Sequence, residues 1–576
     1  MKKYIINAIL SGIILLTACT DLKEEVYSEV GSNNFIQSKA DIISFALRAY
    51  DHAYWSIRMI PEVQENMADQ WVTYTRNESL WYNGGKHVRS HQHTWTWDDD
   101  YVDDNWNTPW AGIVQINNII DVMSEINPGQ YDMDQAEFDG LLWGNRTLRA
   151  WFYIRLLDMY RNIPLYKSVK DDSQNTNTQV APQEVFNFIE SELLAAIEAL
   201  PQKSGTGGNG LKQQQWNKAG AAALLVRLYL NAEKWTGTAQ YDKCTTYAQH
   251  IINGTYGTYN IDDEWDEPFK WNNNTSDEII YAFASDVNYS HYQYTSDVYW
   301  WALSCGAVST GYFLFSKEGD PNFRYALTPG MDVDGVEYSY SLGKPVKKFQ
   351  KYPSDYRLKL YNNLGNGERE GMFLFGYIPN KKDGGRIKQN DGNDLYLRDQ
   401  AGFFNAAAPG APIADKRSGV EYADDNSGWR MVKYPFYPDS DADKIYAADY
   451  AEIRLAEIYY SLAECKLRGG DALDAGDLLN TVRKRNYPAS DYATVLYQGT
   501  QAPMGNVPLD MEELLDEWGR EFIGEMRRRT DLCRFGRFTE AWWDKPQSES
   551  FREILPISRT VLSANPQLKQ NPGYDE

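Results

Sequence analysis

The stretch from Glu452 to Arg485 constrains the fold more than any other: it is 34 residues long and carries two runs of helical period parted by a pair of glycines. Leu455, Ile458, Tyr459, Leu462 and Ala463 recur at the spacing of one helix face, within a helix predicted from Tyr450 to Leu467. Ala475, Leu478, Leu479 and Val482 line one face of the next run. Gly469-Gly470 stand between them, where a helix C-terminus favours positive φ. Two short amphipathic helices joined this tightly cannot cover both apolar faces by themselves, so the unit has to stack on others like it.

The length of the unit is that of a tetratricopeptide repeat. A second pair reads from Gln214 to Glu233, with the small face Ala219, Ala222, Ala223 and Val226, and then from Tyr241 to Ile252. Further helices are predicted at Asp41 to Tyr54, Trp110 to Ile126, Leu141 to Arg161, Pro182 to Leu200 and Met511 to Phe535. Asn162-Ile163-Pro164 and Pro201 act as stops. From Ile261 to Ala447 the pattern changes to short aromatic runs broken by Gly, Pro, Asn and Asp, as in Asn390-Asp391-Gly392-Asn393-Asp394. The expected fold is therefore mainly α, a scaffold of helix pairs carrying a large loop-rich lobe with short strands. Loops on a rigid scaffold are where binding residues concentrate.

The N-terminus sets the compartment. Lys2 and Lys3 precede an apolar core from Tyr4 to Leu16, and the segment ends Leu16-Thr17-Ala18-Cys19. The core is too short to span a membrane and reads as an export signal. Its end resembles a bacterial lipobox, in which Cys19 is acylated and becomes the new N-terminus; the plain alternative is an ordinary signal cut near Ala18. Residues 1–18 are then signal and 19–34 an acylated tether reaching on the order of 50 Å. Loss of Lys2 and Lys3 takes the formal charge from −23 to −25, which argues against nucleic acid as a partner. Cys244, Cys305, Cys465 and Cys533 are widely spaced and read as small core residues rather than a disulfide framework.

Motif by motif, chemistry is hard to find. Gly205, Gly207 and Gly210 have dinucleotide-fingerprint spacing but follow a helix rather than a strand, so they read as a connector. His87, His91 and His93 lie within seven residues without an HExxH pattern or a nearby Cys, and read as an exposed polar loop rather than a metal site. Asp439, Asp441 and Asp443 lack the glycine and the final Glu of a calcium loop, and are expected to charge the start of the helix at Tyr450. Asp98 to Asp104 reads as a solvated loop, with calcium the lesser alternative. Arg527-Arg528-Arg529 are expected to pair with acids such as Glu521 and Glu525. No GxSxG elbow or P-loop occurs, so no catalytic residue, metal or cofactor is assigned.

Aromatics are the positive signal: the chain holds 19 Trp, 41 Tyr and 21 Phe. Trp71, Trp81, Trp95, Trp97, Trp106 and Trp110 crowd one short stretch, and Tyr289, Tyr292, Tyr294, Tyr299, Trp300 and Trp301 another. Trp106 and Trp110, four apart at a predicted helix start, read as core. Trp71, Tyr74 and Trp81 lie in segments without helical period beside Asn66, Asp69, Arg76 and Asn77. Flat apolar faces beside hydrogen-bonding side chains suit sugar rings.

At this point several blocks are recognisable together. Asn145-Arg146-Thr147-Leu148-Arg149-Ala150-Trp151-Phe152-Tyr153 through Ile163-Pro164-Leu165, and Lys218-Ala219-Gly220-Ala221-Ala222-Ala223-Leu224-Leu225-Val226-Arg227-Leu228-Tyr229-Leu230, resemble the SusD/RagB family of Bacteroidota. So do Arg454-Leu455-Ala456-Glu457-Ile458-Tyr459 with Ala463-Glu464, and Leu479-Asn480-Thr481-Val482-Arg483-Lys484-Arg485. Asp516-Glu517-Trp518-Gly519-Arg520-Glu521-Phe522, Arg528, Asp531-Leu532, Arg534-Phe535-Gly536, Leu555-Pro556-Ile557 and Gln570-Asn571-Pro572-Gly573-Tyr574 complete the likeness. Gly524-Glu525-Met526 departs from the family's usual Glu-Gly, with a local packing effect expected.

The resemblance implies about four tetratricopeptide-like pairs, with a helical region at 35–260, a ligand-binding lobe at 261–447 and a second helical region at 448–576. It also implies a lipid-anchored, surface-facing outer-membrane protein that binds without cleaving. Such a protein captures oligosaccharide or polysaccharide and passes it to a SusC-like TonB-dependent transporter. By position and chemistry the glycan site is expected at Trp71, Tyr74, Arg76, Asn77 and Trp81 with Tyr292, Tyr294, Trp300 and Trp301, Asp69 also contacting hydroxyls. A peptide-capturing RagB-type protein is the alternative, and a glycoside hydrolase a further one.

Overall fold

A computed structural model describes residues 35–169, 178–203, 213–286, 306–314, 324–389, 391–441, 444 and 447–574. The signal, Cys19 and its tether, Gly205, Gly207, Gly210, Tyr289, Tyr292, Tyr294, Tyr299, Trp300, Trp301, Cys305 and Asp443 lie outside the described residues.

Twelve helices carry the argument: α1 (Lys39–Leu47), α2 (Tyr50–Pro61), α3 (Lys86–Gln92), α4 (Asp100–Met123), α5 (Gln135–Tyr160), α6 (Pro182–Ala199), α7 (Lys218–Leu230), α8 (Tyr241–Ile252), α9 (Leu455–Arg468), α10 (Ala472–Arg483), α11 (Met511–Glu521) and α12 (Arg528–Arg534). α2 packs on α4, and α4 on α5; the run continues through α6, α7, α8 and α9 to α10. Four helix pairs are thus stacked in the tetratricopeptide-like manner expected. The alanines of α7 explain its place in the middle. Ala219, Ala221, Ala222 and Ala223 are fully buried, and small side chains let neighbouring helices approach an element that is apolar all round. Asn217 caps it, its side chain accepting from Gly220 N at 3.0 Å. Cys244, Cys465 and Cys533 are buried, free and packed in the core as expected. Among the described residues no helix is long and apolar enough to cross a membrane.

Several helix boundaries differ from the sequence reading. The first predicted helix is two, broken after Leu47. The segment from Asp98 to Asp104 is not a loop: α4 begins at Asp100, with Asp100 and Asp103 in its first turn, where the helix dipole favours them. The helix expected from Trp110 begins ten residues earlier and runs through Pro109. Side chains support the turn before the proline, the Asn105 amide donating to Tyr101 O at 2.8 Å and Thr108 Oγ1 to Asp104 O at 2.6 Å. The segment at Tyr450 opens as a strand, so Asp439 and Asp441 cap no helix there; they form a separate turn. The last predicted helix is split into α11 and α12, because Gly524 (φ 72°) and Met526 (φ 57°) turn the chain between them.

The lobe is built of strand pairs of a few residues. β1 (Trp71–Thr73) pairs antiparallel with β3 (Tyr325–Leu327), β2 (Ile279–Phe283) with β6 (Tyr450–Arg454), and β4 (Phe373–Leu374) with β5 (Arg430–Met431). β6 therefore ties the lobe to α9, which follows it without a break. A buried charge seam reinforces this join. Arg454 donates to Glu278 at 2.6 Å and Arg485 to Glu521 at 2.9 Å; Arg357 reaches Glu521 at 3.3 Å from the lobe. Glu525 takes Arg454 at 2.8 Å and also Lys433. Glu521 and Glu525 are thus claimed by these cations, and the arginine triplet finds other partners. Arg527 pairs with Asp531 at 3.1 Å, Arg528 with Asp69 at 2.7 Å and Arg529 with Asp158 at 2.9 Å.

Candidate functional site

One segment stands out by its backbone. Between β1 and α3, Asn77 (φ 50°), Glu78 (φ 69°), Trp81 (φ 64°) and Asn83 (φ 45°) all adopt positive φ, followed by Gly84 and Gly85. Each such non-glycine residue costs roughly 1–2 kcal/mol, most for a bulky one, and strain of this kind collects where structure is shaped for function. The loop closes on itself, Arg76 N donating to Leu80 O and Leu80 N to Arg76 O. It presents a half-buried Trp81 beside Tyr82, which is 45% exposed.

The support beneath Trp81 starts at the end of α2. There the helix widens into a π turn, Glu62–Asn66, which re-aims its side chains. Asn66 Oδ1 accepts from Thr73 N at 2.7 Å, and the Asn66 amide donates to Glu62 Oε1 at 3.0 Å. His87 Nδ1 meets the same Glu62 oxygen at 2.9 Å, and its Nε2 meets the Asn83 amide at 3.2 Å. Arg324 binds the other Glu62 oxygen at 3.2 Å and lies 5.6 Å from the centre of the Trp81 ring. Burial pushes the Glu62 carboxyl up, but His87 and Arg324 outweigh it and hold it at about 2. Trp81 Nε1 is buried without a hydrogen-bond partner.

Across from this loop lies a second one, from Phe403 to Ser427. Thr75 N donates to Val420 O at 2.8 Å and Asn77 N to Ala423 O at 2.9 Å; the Asn77 amide donates to Asp425 Oδ1 at 3.2 Å. Arg417 stands 4.9 Å from the Phe403 ring and 5.4 Å from Tyr422, which is 40% exposed. The two loops thus adjoin at the surface through Asn77 and through Glu78, 4.0 Å from Arg417, with Trp81 and Tyr82 carried by the first loop and Tyr422 by the second.

The expected site residues divide. Trp81 and Asn77 lie in this surface. Trp71, Tyr74 and Arg76 do not: their exposures are 3%, 0% and 0%. Trp71 packs on Tyr325, Tyr74 OH donates to Leu327 O at 3.3 Å, and Arg76 donates to Asp424 O at 2.5 Å, clamping the two loops together. Asp69 is likewise consumed, by Arg528 and by Gly343 N at 2.8 Å. His87, His91 and His93 form no exposed loop: all three are buried around α3, with His91 meeting Trp543 O at 2.9 Å and His93 meeting Met67 O at 2.8 Å. Among the described residues no group of His, Cys, Asp and Glu could hold a metal ion. Tyr82, Phe403, Arg417, Tyr422 and Arg324 were not singled out. Tyr82 adjoined a tryptophan already flagged, while the others come from more than 240 positions away and carry no local signal.

Comparison with known proteins fits this architecture. A family model described as "SusD family" matches residues 412–574, and one described as "Starch-binding associating with outer membrane" matches residues 22–230. The starch-binding protein SusD of Bacteroides thetaiotaomicron is 26% identical over 500 residues, 80% of this chain and 76% of that one. Among solved structures, a SusD homologue from Bacteroides thetaiotaomicron aligns with a TM-score of 0.66 at 17% identity, covering 96% of this chain and 100% of that one. A laminarin-binding SusD-like protein aligns with a TM-score of 0.60 at 19% identity, covering 94% and 100%.

Proposed function

This chain belongs to the SusD/RagB-like family, whose members are associated with the outer membrane, and on that premise we propose that it is a cell-surface lipoprotein that captures glycan without cleaving it. The observation that carries the reading is Trp81, a bulky residue held at positive φ beside the exposed Tyr82, in a loop whose Asn77 bonds Asp425 and whose Glu78 lies 4.0 Å from Arg417. Rigid ring faces stack on the apolar faces of sugars, and Asn77 and Arg417 bond their hydroxyls. Tyr292, Tyr294, Trp300 and Trp301 are proposed as further glycan-binding residues. Relatives named as starch-binding and laminarin-binding support a glucan as the first ligand to try.

Affinity electrophoresis through gels containing starch or laminarin tests the reading. The wild-type protein is expected to be retarded, and Trp81→Ala with Tyr82→Ala to restore free mobility. Equal mobility of wild type and variant in every polysaccharide, or capture of peptides instead, would remove the assignment. New reducing ends on incubation with the retained glycan would make the protein a hydrolase. Delivery to a TonB-dependent transporter, and anchoring through Cys19, are parts of the same proposal. Cys19→Ala is expected to leave binding intact in solution and to release the protein from the cell surface.

A further inference from the structure

A second cleft, of about 570 Å³, opens between the N-terminal end of α7, the β2–β6 pair and the turn at 271–276. It shares no residue with the Trp81 loop. Its floor is built around Asp449. The carboxylate Oδ1 accepts from Ser285 N at 2.8 Å, while Oδ2 accepts from the Gln213 amide at 3.0 Å and also from the Gln214 amide. Those bonds fix both glutamines. Gln213 is 9% exposed and lines the cleft, and its Oε1, closed off from solvent, has no hydrogen-bond partner, so a small shift of the side chain toward a donor in the cleft would satisfy it.

The walls complete the chemistry. Trp271 is half-buried on one side, its indole edge packed on Gly367 (φ 86°), where an added Cβ would lie 3.0 Å from Nε1, and Lys444 Nζ stands 5.8 Å from its ring centre. Tyr259 stands on another side with its OH donating to Asn217 Oδ1 at 3.3 Å, and Asn274 is exposed at the rim. An indole face, fixed side-chain amides and a lone acceptor match a neutral ring bearing hydroxyl donors. Lys203 also lines the cleft, but its ammonium pairs with Asp277 at 3.2 Å and lies 4.5 Å from the centre of the Tyr259 ring, so an anion would still face the Asp449 carboxylate in a strongly acidic chain.

We propose that this cleft is a second saccharide site, in which a sugar ring stacks on Trp271 and a hydroxyl donates to Gln213 Oε1. The proposal rests on the glycan-binding reading above, and the experiment separates the two. Isothermal titration with maltoheptaose and with laminarihexaose compares the wild type, a Trp81→Ala/Tyr82→Ala variant, and that variant carrying either Trp271→Ala or the near-isosteric Gln213→Leu. The expected result is residual binding in the loop variant, weakened by about tenfold or more when Trp271 or Gln213 is also changed, in proteins whose circular dichroism at the titration temperature matches that of the loop variant. Gln213→Leu also removes the bond to Asp449 and lowers the melting temperature, so Trp271→Ala carries the test independently. Complete loss of binding in the loop variant, or residual binding indifferent to both cleft substitutions, overturns the second site and leaves the first reading standing. A wild type that binds neither oligosaccharide removes both.

Discussion

Glu65 offers a quantitative test of how the site is supported. It sits in the π turn that carries Glu62, is 0% exposed, and its Oε2 has no partner. Burial pushes its carboxyl up to about 8, only partly offset by the N–H groups of Arg527 (3.3 Å) and Met526. The folded protein therefore keeps this proton over a range in which the unfolded chain, with an ordinary value of 4.5, has released it. The contribution is fully present below about pH 4.5 and is lost as pH rises toward about 8. At about 1.4 kcal/mol per pH unit the ceiling is about 5 kcal/mol, and relaxation around the carboxylate brings the expected effect to roughly 2–3 kcal/mol. Glu65→Gln keeps the shape of the protonated acid and cannot ionise. Urea unfolding of both proteins at about pH 5 and about pH 8 should show near-equal stability at the lower pH and a more stable variant at the higher. Other buried acids titrate in both proteins alike and cancel in the difference. A difference that does not change with pH would refute the reasoning.

Three further outcomes follow from other contacts. Glu521→Ala takes one carboxylate from Arg357, Arg454 and Arg485, which keep Asp355, Glu278 and Glu525 but outnumber them once Lys433 is added, and the uncompensated buried charge should cost roughly 3–5 kcal/mol in denaturant unfolding. Gly476→Ala places a Cβ 2.0 Å from the Gln498 carbonyl oxygen, so α10 has to shift, and thermal melting should show a destabilisation of about 1–3 kcal/mol. Trp81→Ala should weaken glucan binding by about 1–3 kcal/mol, read by titration calorimetry, with a much smaller effect on melting because the ring is only half-buried.

The helical scaffold was legible because its signals are local. Period, small-residue faces and glycine punctuation lie within single segments, and α5, α8 and α10 fall where the sequence placed them. Errors arose where a distant partner decides. Tyr450–Arg454 has helix period on paper, yet pairing with Ile279–Phe283 makes it a strand. The acidic run from Asp98 reads as a solvated loop until Asn105 and Thr108 are seen bonding the turns that carry the helix through Pro109. The arginine triplet was correctly read as structural, but its partners Asp69 and Asp158 lie more than 350 positions away.

The site shows the same division in sharper form. Composition around 71–82 marked the neighbourhood of the strained loop but could not say which rings face outward. A tryptophan in a β-strand and a tryptophan in a strained loop look alike in sequence, and only the pairing of Trp71 with Leu327 turns the first into core. Arg76 illustrates why polar companions mislead as well. Its guanidinium is spent on backbone carbonyls from the 424–427 segment, so it holds two loops in register instead of meeting a ligand. That clamp is what makes the neighbouring strain affordable: with Arg76, Asn66 and Glu62 fixed by buried partners, the chain from Asn77 to Asn83 has no relaxed path between β1 and α3. The proposed binding face is thus pre-organised by buried residues that cannot themselves meet a ligand. Weakening the clamp should loosen Trp81 and lower affinity without removing any ligand contact.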